Sequence, residues 1–143
     1  MTSRLASIQS TLSNNWGEVA PITTAIDWFI GEPEEPGSRF NRSAYRIEVK
    51  NSLSFNSKKS LSRSHLKDMI FVDVWIQHTP DRADEITATE TMETIVDRVY
   101  SVVQSQQKAF TGYTLMTVQG DQKIGSDAGI KRVLITLTGR REI

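Results

Sequence analysis

Hydrophobic positions recur along this chain with different periods, and each period predicts an element. Leu5, Ile8, Leu12 and Trp16 fall at spacings of three and four and Gly17 follows, which predicts a short amphipathic helix with a glycine stop. "AYRIEVK" alternates, with Tyr45, Ile47 and Val49 on one side and Arg46, Glu48 and Lys50 on the other, the pattern of a half-buried strand. "MIFVDVWIQ" (Met69 to Gln77) is apolar on both sides, which predicts a central strand covered on two faces. From Asp81 to Lys108 the helical spacing returns through Ile86, Met92, Ile95, Val96, Val99, Val103 and Phe110. Acids occupy the first turns, Lys108 lies near the end and Gly112 closes the helix, the polarity that the helix dipole favours. Two closing strands, "YTLMTVQ" (Tyr113 to Gln119) and "IKRVLITLTG" (Ile130 to Gly139), flank the turn-rich hairpin loop "GDQKIGSDAG".

The order α-β-β-α-β-β predicts a single α+β domain over residues 1–143. Its core would be a mainly antiparallel four-stranded sheet packed by the long helix and the short N-terminal helix. The stripe Met92, Ile95, Val96, Val99 and Val103 is expected to pack on Ile47, Val49, Val72 and Val74. Two segments stand outside this pattern. "GEPEEPGSRFN" (residues 31–41) places two prolines and two glycines among glutamates and reads as a surface loop. Residues 51–67, "NSLSFNSKKSLSRSHLK", are serine-rich, carry Lys58, Lys59, Arg63 and Lys67, and contain no acid. They read as a basic arm joining two strands that pair as a long hairpin. With few apolar side chains to offset its ordering entropy, the arm is expected to be mobile until it meets a partner.

At 143 residues the chain is long enough to bury roughly 70% of its unfolded surface in one core. Seventeen Lys and Arg balance seventeen Asp and Glu, so no global charge directs it to nucleic acid or an anionic membrane. There is no cysteine, which excludes disulfides, thiol nucleophiles and Cys-ligated metals. Neither a signal-peptide h-region nor a membrane-length apolar run is present, so a soluble, cytoplasmically made protein is expected.

The corner "VWIQHTPDRADEI" is the first candidate for chemistry. His78 ends the central strand; Thr79 and Pro80 read as an N-cap and a first-turn proline, with Asp81, Asp84 and Glu85 near the positive end of the helix. Two histidines in the whole chain, His65 and His78, are too few for an ordinary metal site, and no nucleophile adjoins a His78–Asp81 pair. The corner therefore reads as structural, no cofactor is called for, and no enzymatic site is expected. Asp73, alone among apolar strand residues, is expected to pair with Arg46 or Arg132 across the sheet. Trp16, Trp28 and Trp75 are expected in packing, with Trp28 a candidate for an interface. What remains is the basic arm and the tail "TGRREI", where Arg140 and Arg141 directly follow a strand.

"YRIEVKNSLSF", "FVDVWIQHTPDRADEITATETMETIVDRVYSVV" and "RVLITLTGRRE", with the helical start and the long polar arm, resemble the tail terminator (tail-completion, minor tail) proteins of long-tailed phages and related tailed viruses. The resemblance covers roughly Ala44 to Glu142 and lies in element order and in the texture V-D-V-W, D-R-V-Y, R-V-x-I-T-L. It implies a structural virion protein, assembled in the host cytoplasm, whose copies form a ring, commonly a hexamer. Such a ring caps the tail tube, ends its polymerisation and offers the surface that the head connector binds. Lys58, Lys59, Arg63, Lys67, Arg140 and Arg141 would then touch partners: a second copy, the tail-tube protein or the neck protein, with no membrane and no specific nucleic acid. The acidic stretch Glu32 to Glu35 and the basic arm would supply complementary edges. A neck (stopper or adaptor) role, or a small nucleic-acid-binding module using the arm's bases on phosphates, are the alternatives.

Overall fold

A computed structural model of the chain describes residues 4–17, 26–30, 45–51, 59–62, 65–124 and 129–142. Its elements run α1 (Arg4–Asn14), β1 (Asp27–Ile30), β2 (Tyr45–Asn51), β3 (Lys59–Ser62), β4 (His65–Gln77), α2 (Arg82–Ser105), β5 (Leu115–Ile124) and β6 (Ile130–Glu142). The strands make one sheet in the order β1-β2-β4-β6-β5, with β3 also paired to β4. The four long strands, β2, β4, β6 and β5, pair antiparallel and, with the two helices, give the α-β-β-α-β-β order that the hydrophobic pattern predicts. The two short strands are additions. β1 runs parallel to β2, with Trp28 opposite Ile47 and Ile30 opposite Val49. The sequence reading assigned no element there, because four residues carry too little period to separate strand from loop.

The central ladder is the register of β4 on β6, unbroken from His65↔Glu142 to Gln77↔Ile130. Alternation along it sorts the side chains. Ile70, Val72, Val74 and Ile76 of β4 and Val133, Ile135 and Leu137 of β6 point to one face and are buried in a single cluster with both helices. α2 contributes Met92, Ile95, Val99, Val102 and Val103 to that cluster, with Val96 packed against it. The expected partners need one correction. α2 lies over β4, β6 and β5, whereas Ile47 and Val49 of β2 lie under α1, which sits over β1 and β2. A helix of 24 residues crosses several strands, and the strand at the far side is left to the shorter helix. α1 fills that place with Ile8 and Leu12, both fully buried, and ends at Asn14; Gly17, three residues on, has a left-handed φ of 70°. Trp16, just past the helix, meets Trp28 of β1 edge-on, with ring centroids 5.2 Å apart and planes at 87°.

Several strands run further than expected, although β5 begins at Leu115 and not at Tyr113. β4 begins at His65 and not at Met69, and β3 pairs back on it, so part of the basic arm is a strand: Lys59↔Lys67, then Ser62↔His65 after a register shift. Paired backbone amides hold these polar residues, a contribution that hydrophobic periodicity does not register. β5 continues through Gly120 to Ile124 after a bulge between Val118 and Gly120, so the expected ten-residue hairpin loop is shorter. β6 continues through "TGRRE", pairing with both β4 and β5. α2 ends at Ser105, with Gln106 as its C-cap, and Gly112 (φ 89°) turns the chain only further on. Residues 31–41, 52–58, Arg63 and residues 125–128 lie outside the described residues, and so do the expectations placed on them.

Candidate assembly surface

Both helices lie on one face of the sheet, and none of the described helices covers the other. The helix-free, or open, face carries Met69, Phe71, Asp73 and Trp75 of β4, Glu48 and Lys50 of β2, and Arg132, Leu134, Thr136 and Thr138 of β6; of these Glu48, Lys50, Asp73 and Trp75 are buried. Met69, Phe71 and Leu134 are half-buried.

At its centre Asp73 is fully buried and fully engaged. Arg132 grips it with two bonds, Nε to Oδ1 at 2.8 Å and Nη2 to Oδ2 at 2.6 Å, and Lys50 Nζ donates to Oδ2 at 2.9 Å. The Arg132 guanidinium lies 4.2 Å over the Trp75 ring, which fixes the fork in place. Arg132 was one of the two partners that the sequence suggested; the other, Arg46, sits in register opposite Trp75. Lys50 was not foreseen, because its partner lies on the diagonal from its own register position, Phe71.

The basic residues singled out from the sequence separate into different roles. Lys67 and Arg140 are direct register partners on β4 and β6, both on the open face, and Lys59 of β3 occupies the position opposite Lys67. Three strands thus place bases at one level of the sheet. Among the described residues neither Lys67 nor Arg140 has a carboxylate partner. Arg141 belongs to the other face: its Nε donates to Asp68 Oδ2 at 2.8 Å, where the Tyr113 hydroxyl also donates at 3.1 Å and Arg4 Nε lies at 3.8 Å. This knot fastens the start of α1, β4, the entry to β5 and the end of β6. Burial first, and then the Asp68 charge, push the Tyr113 phenol well above its ordinary range. Arg141 is therefore committed to the fold. Lys58 and Arg63 lie outside the described residues.

The corner at His78 is tied by backbone and turn chemistry. His78 N–H donates to the Gly129 carbonyl at 2.7 Å, and Nδ1 lies 2.7 Å from the Thr79 carbonyl. Thr79 does not cap α2. Its N–H and hydroxyl both donate to Asp84 Oδ2, at 2.7 and 2.8 Å, and the helix starts after Asp81, whose side chain makes no capping bond. The Thr79 amide and hydroxyl bonds hold the Asp84 carboxyl below its usual range. Asp84 thus reaches back across the proline turn, a reversal of the expected donor and acceptor.

A groove of about 650 Å³ runs between α2 and β5, lined by Met92, Val96, Tyr100, Asp121 and Lys123 among others. The Tyr100 hydroxyl donates to Asp121 Oδ1 at 2.7 Å, and that bond, with some burial, pushes its pKa up to about 12. Among the described residues no three His, Asp or Glu side chains converge closely enough to hold a metal ion. No described helix is long and apolar enough to cross a membrane. No protein-family model and no curated protein sequence matches the chain.

Proposed function

We propose that this chain is a structural, non-enzymatic assembly protein of a tailed virus, whose copies close into a ring on the end of the tail tube and present the surface that joins the head. The observation that carries this reading is the one-sided sandwich. Both described helices lie on one face of the sheet; the other face is buried at Glu48, Lys50, Asp73 and Trp75 but keeps Met69, Phe71 and Leu134 only half-buried, a strip that a neighbour would cover. A ring needs heterologous contacts, one surface of each copy meeting a different surface of the next, and a molecule with unlike faces suits that geometry. The zero formal charge of the chain sets no long-range repulsion against such stacking.

Mass photometry and negative-stain imaging of the purified chain test the reading. The expected outcome is a discrete species at a multiple of 16.1 kDa, seen as an annulus, that binds the end of tail-tube polymers and stops their growth. A monomer that leaves tube growth unchanged would overturn it. A second reading is favoured by one observation, the bases at a single level of β3, β4 and β6. As a nucleic-acid-binding module the chain would contact phosphates there, with affinity falling steeply as salt rises.

A further inference from the structure

We infer that the contact between neighbouring copies seats the acidic outer stripe of α2 from one copy on the basic row of the open sheet face of the next. This docking rests on the ring reading above and supplies its interface.

Two self-repelling rows of opposite sign lie on opposite sides of the molecule. On α2 the solvent-facing positions opposite the buried stripe are Glu90, Glu93 and Asp97, all exposed, and no base falls in that stripe. Glu93 and Asp97 are four apart, a spacing at which like charges weaken a helix. On the open sheet face Lys67 stands directly opposite Arg140, with Lys59 in register beyond it, and like charges placed directly across a sheet destabilise it as well. Glu90, Glu93, Asp97, Lys67 and Arg140 form no ion pair among the described residues, although Lys123 lines the groove beside Glu93 and Asp97, and each row is the counter-charge of the other.

Their dimensions agree. From Glu90 to Asp97 the helix rises roughly 10 Å at about 1.5 Å per residue, and three adjacent strands span roughly 10 Å at about 4.8 Å per spacing. The helix of one copy would thus cross the strands of the next, with its acids over Lys67 and Arg140. Because α2 packs on one face of the sheet and the row occupies the other, a copy does not satisfy its own row, and the contact propagates from copy to copy in one sense of rotation. Next to the row on the same face, Met69 and Thr138 offer half-buried surface to the helix flank.

Reciprocal charge reversal tests this pairing. One variant carries Lys67→Glu and Arg140→Glu; the other carries Glu90→Lys, Glu93→Lys and Asp97→Lys. Arg140, Glu90, Glu93 and Asp97 are exposed and Lys67 is half-buried with no ion pair among the described residues, so both variants should keep the melting transition of the parent chain. Each alone should raise the concentration for half-assembly by about 100-fold or more, since like charges then face each other. Mixed in equal amounts, the two should recover rings of even number with alternating composition in native mass spectrometry. The neutral pair Lys67→Ser/Arg140→Ser, which removes the repulsion across the strands, should keep the fold and weaken assembly about tenfold. Rings from the parent chain that survive both reversals would overturn this interface and leave the ring reading standing. A parent chain that stays monomeric at every concentration overturns the ring reading and the interface with it. Folded variants that fail to recover on mixing overturn the pairing of these two rows. A monomer that shifts onto a DNA duplex, with the shift lost on reversal of Lys67 and Arg140, assigns the row to phosphates and overturns it too.

Discussion

Gly139→Ala is the most informative single substitution in this fold. A Cβ built at Gly139 would stand 2.5 Å from Tyr113 Cε1, 2.6 Å from Cδ1 and 3.2 Å from the Met116 methyl. The ring has nowhere easy to go. Tyr113 is buried, its hydroxyl donates to Asp68, and the flanking backbone is held by Tyr113 N–H to the Phe110 carbonyl and Thr114 N–H to the Arg140 carbonyl. Overpacking of this kind costs about 1–3 kcal/mol. Swinging the ring aside instead gives up a hydrogen bond to a charged group, worth about 1.5–3 kcal/mol. Against this, alanine narrows the unfolded ensemble and contributes about 0.4–1 kcal/mol the other way. The net expectation is a loss of about 1–2 kcal/mol, or a fall in Tm of roughly 5 °C for a domain of this size. Chemical denaturation followed by circular dichroism measures it, and the Tyr113→Ala background isolates the cause. There the clash is gone, so Gly139→Ala should be neutral or slightly stabilising, and the cycle should show a coupling of about 2 kcal/mol. An equal cost in both backgrounds, or a cost under about 0.5 kcal/mol in the parent chain, refutes the idea that the ring and the glycine are fitted to each other.

Val99→Asp places a carboxylate in the fully buried centre of the α2 stripe and should abolish the cooperative thermal transition, because its burial costs several kcal/mol out of a total of about 5–15. Asp73→Ala leaves the buried Lys50 and the stacked Arg132 without their shared anion and should cost about 3–5 kcal/mol in denaturant unfolding; a cost under about 1 kcal/mol would show that the cluster is solvated. Tyr113 and Tyr100 both have folded pKa values raised above the ordinary phenol value of about 10, so the stability they contribute is complete below pH about 10 and lost as pH rises beyond it. Ultraviolet titration should find Tyr113 ionising only as the fold opens, and a reversible phenolate at Tyr113 near pH 10 in the folded chain would contradict its burial.

Hydrophobic period made most of the fold legible. The two-sided apolar run of β4, the alternation of β2 and the helical stripe of α2 each follow from where apolar side chains must go, and the structure forms all three elements, although Glu48 and Lys50, on the expected solvent side of β2, are buried. Polar elements were harder to read. β3 and the extensions of β4 and β6 consist of Lys, Ser, His, Gly and Arg held by backbone pairing, which leaves no hydrophobic trace. The Asp73–Arg132 pair was visible because an acid in an apolar strand demands a partner, whereas the Arg141–Asp68 bond was not, since "TGRREI" looks like a tail until the register with β4 is known. The row of Lys67 and Arg140 was present in the list of basic residues, but its geometry exists only once residues 73 positions apart in the chain are aligned.

The long β4–β6 ladder also shapes how the chain comes to be folded. Phe71 pairs with Thr136, roughly 65 residues later, so at about 5–20 residues per second a ribosome needs several seconds to deliver the partner of a strand already made. During that interval "MIFVDVWI" is an apolar, pairing-competent segment with one neighbouring strand at most. Non-local closure of this kind is slow, and an unpaired central strand is the kind of segment that associates with its like or with a chaperone. Lys67, Asp68 and Asp73, charges set before and within that run, act as gatekeepers against the first outcome until β6 arrives.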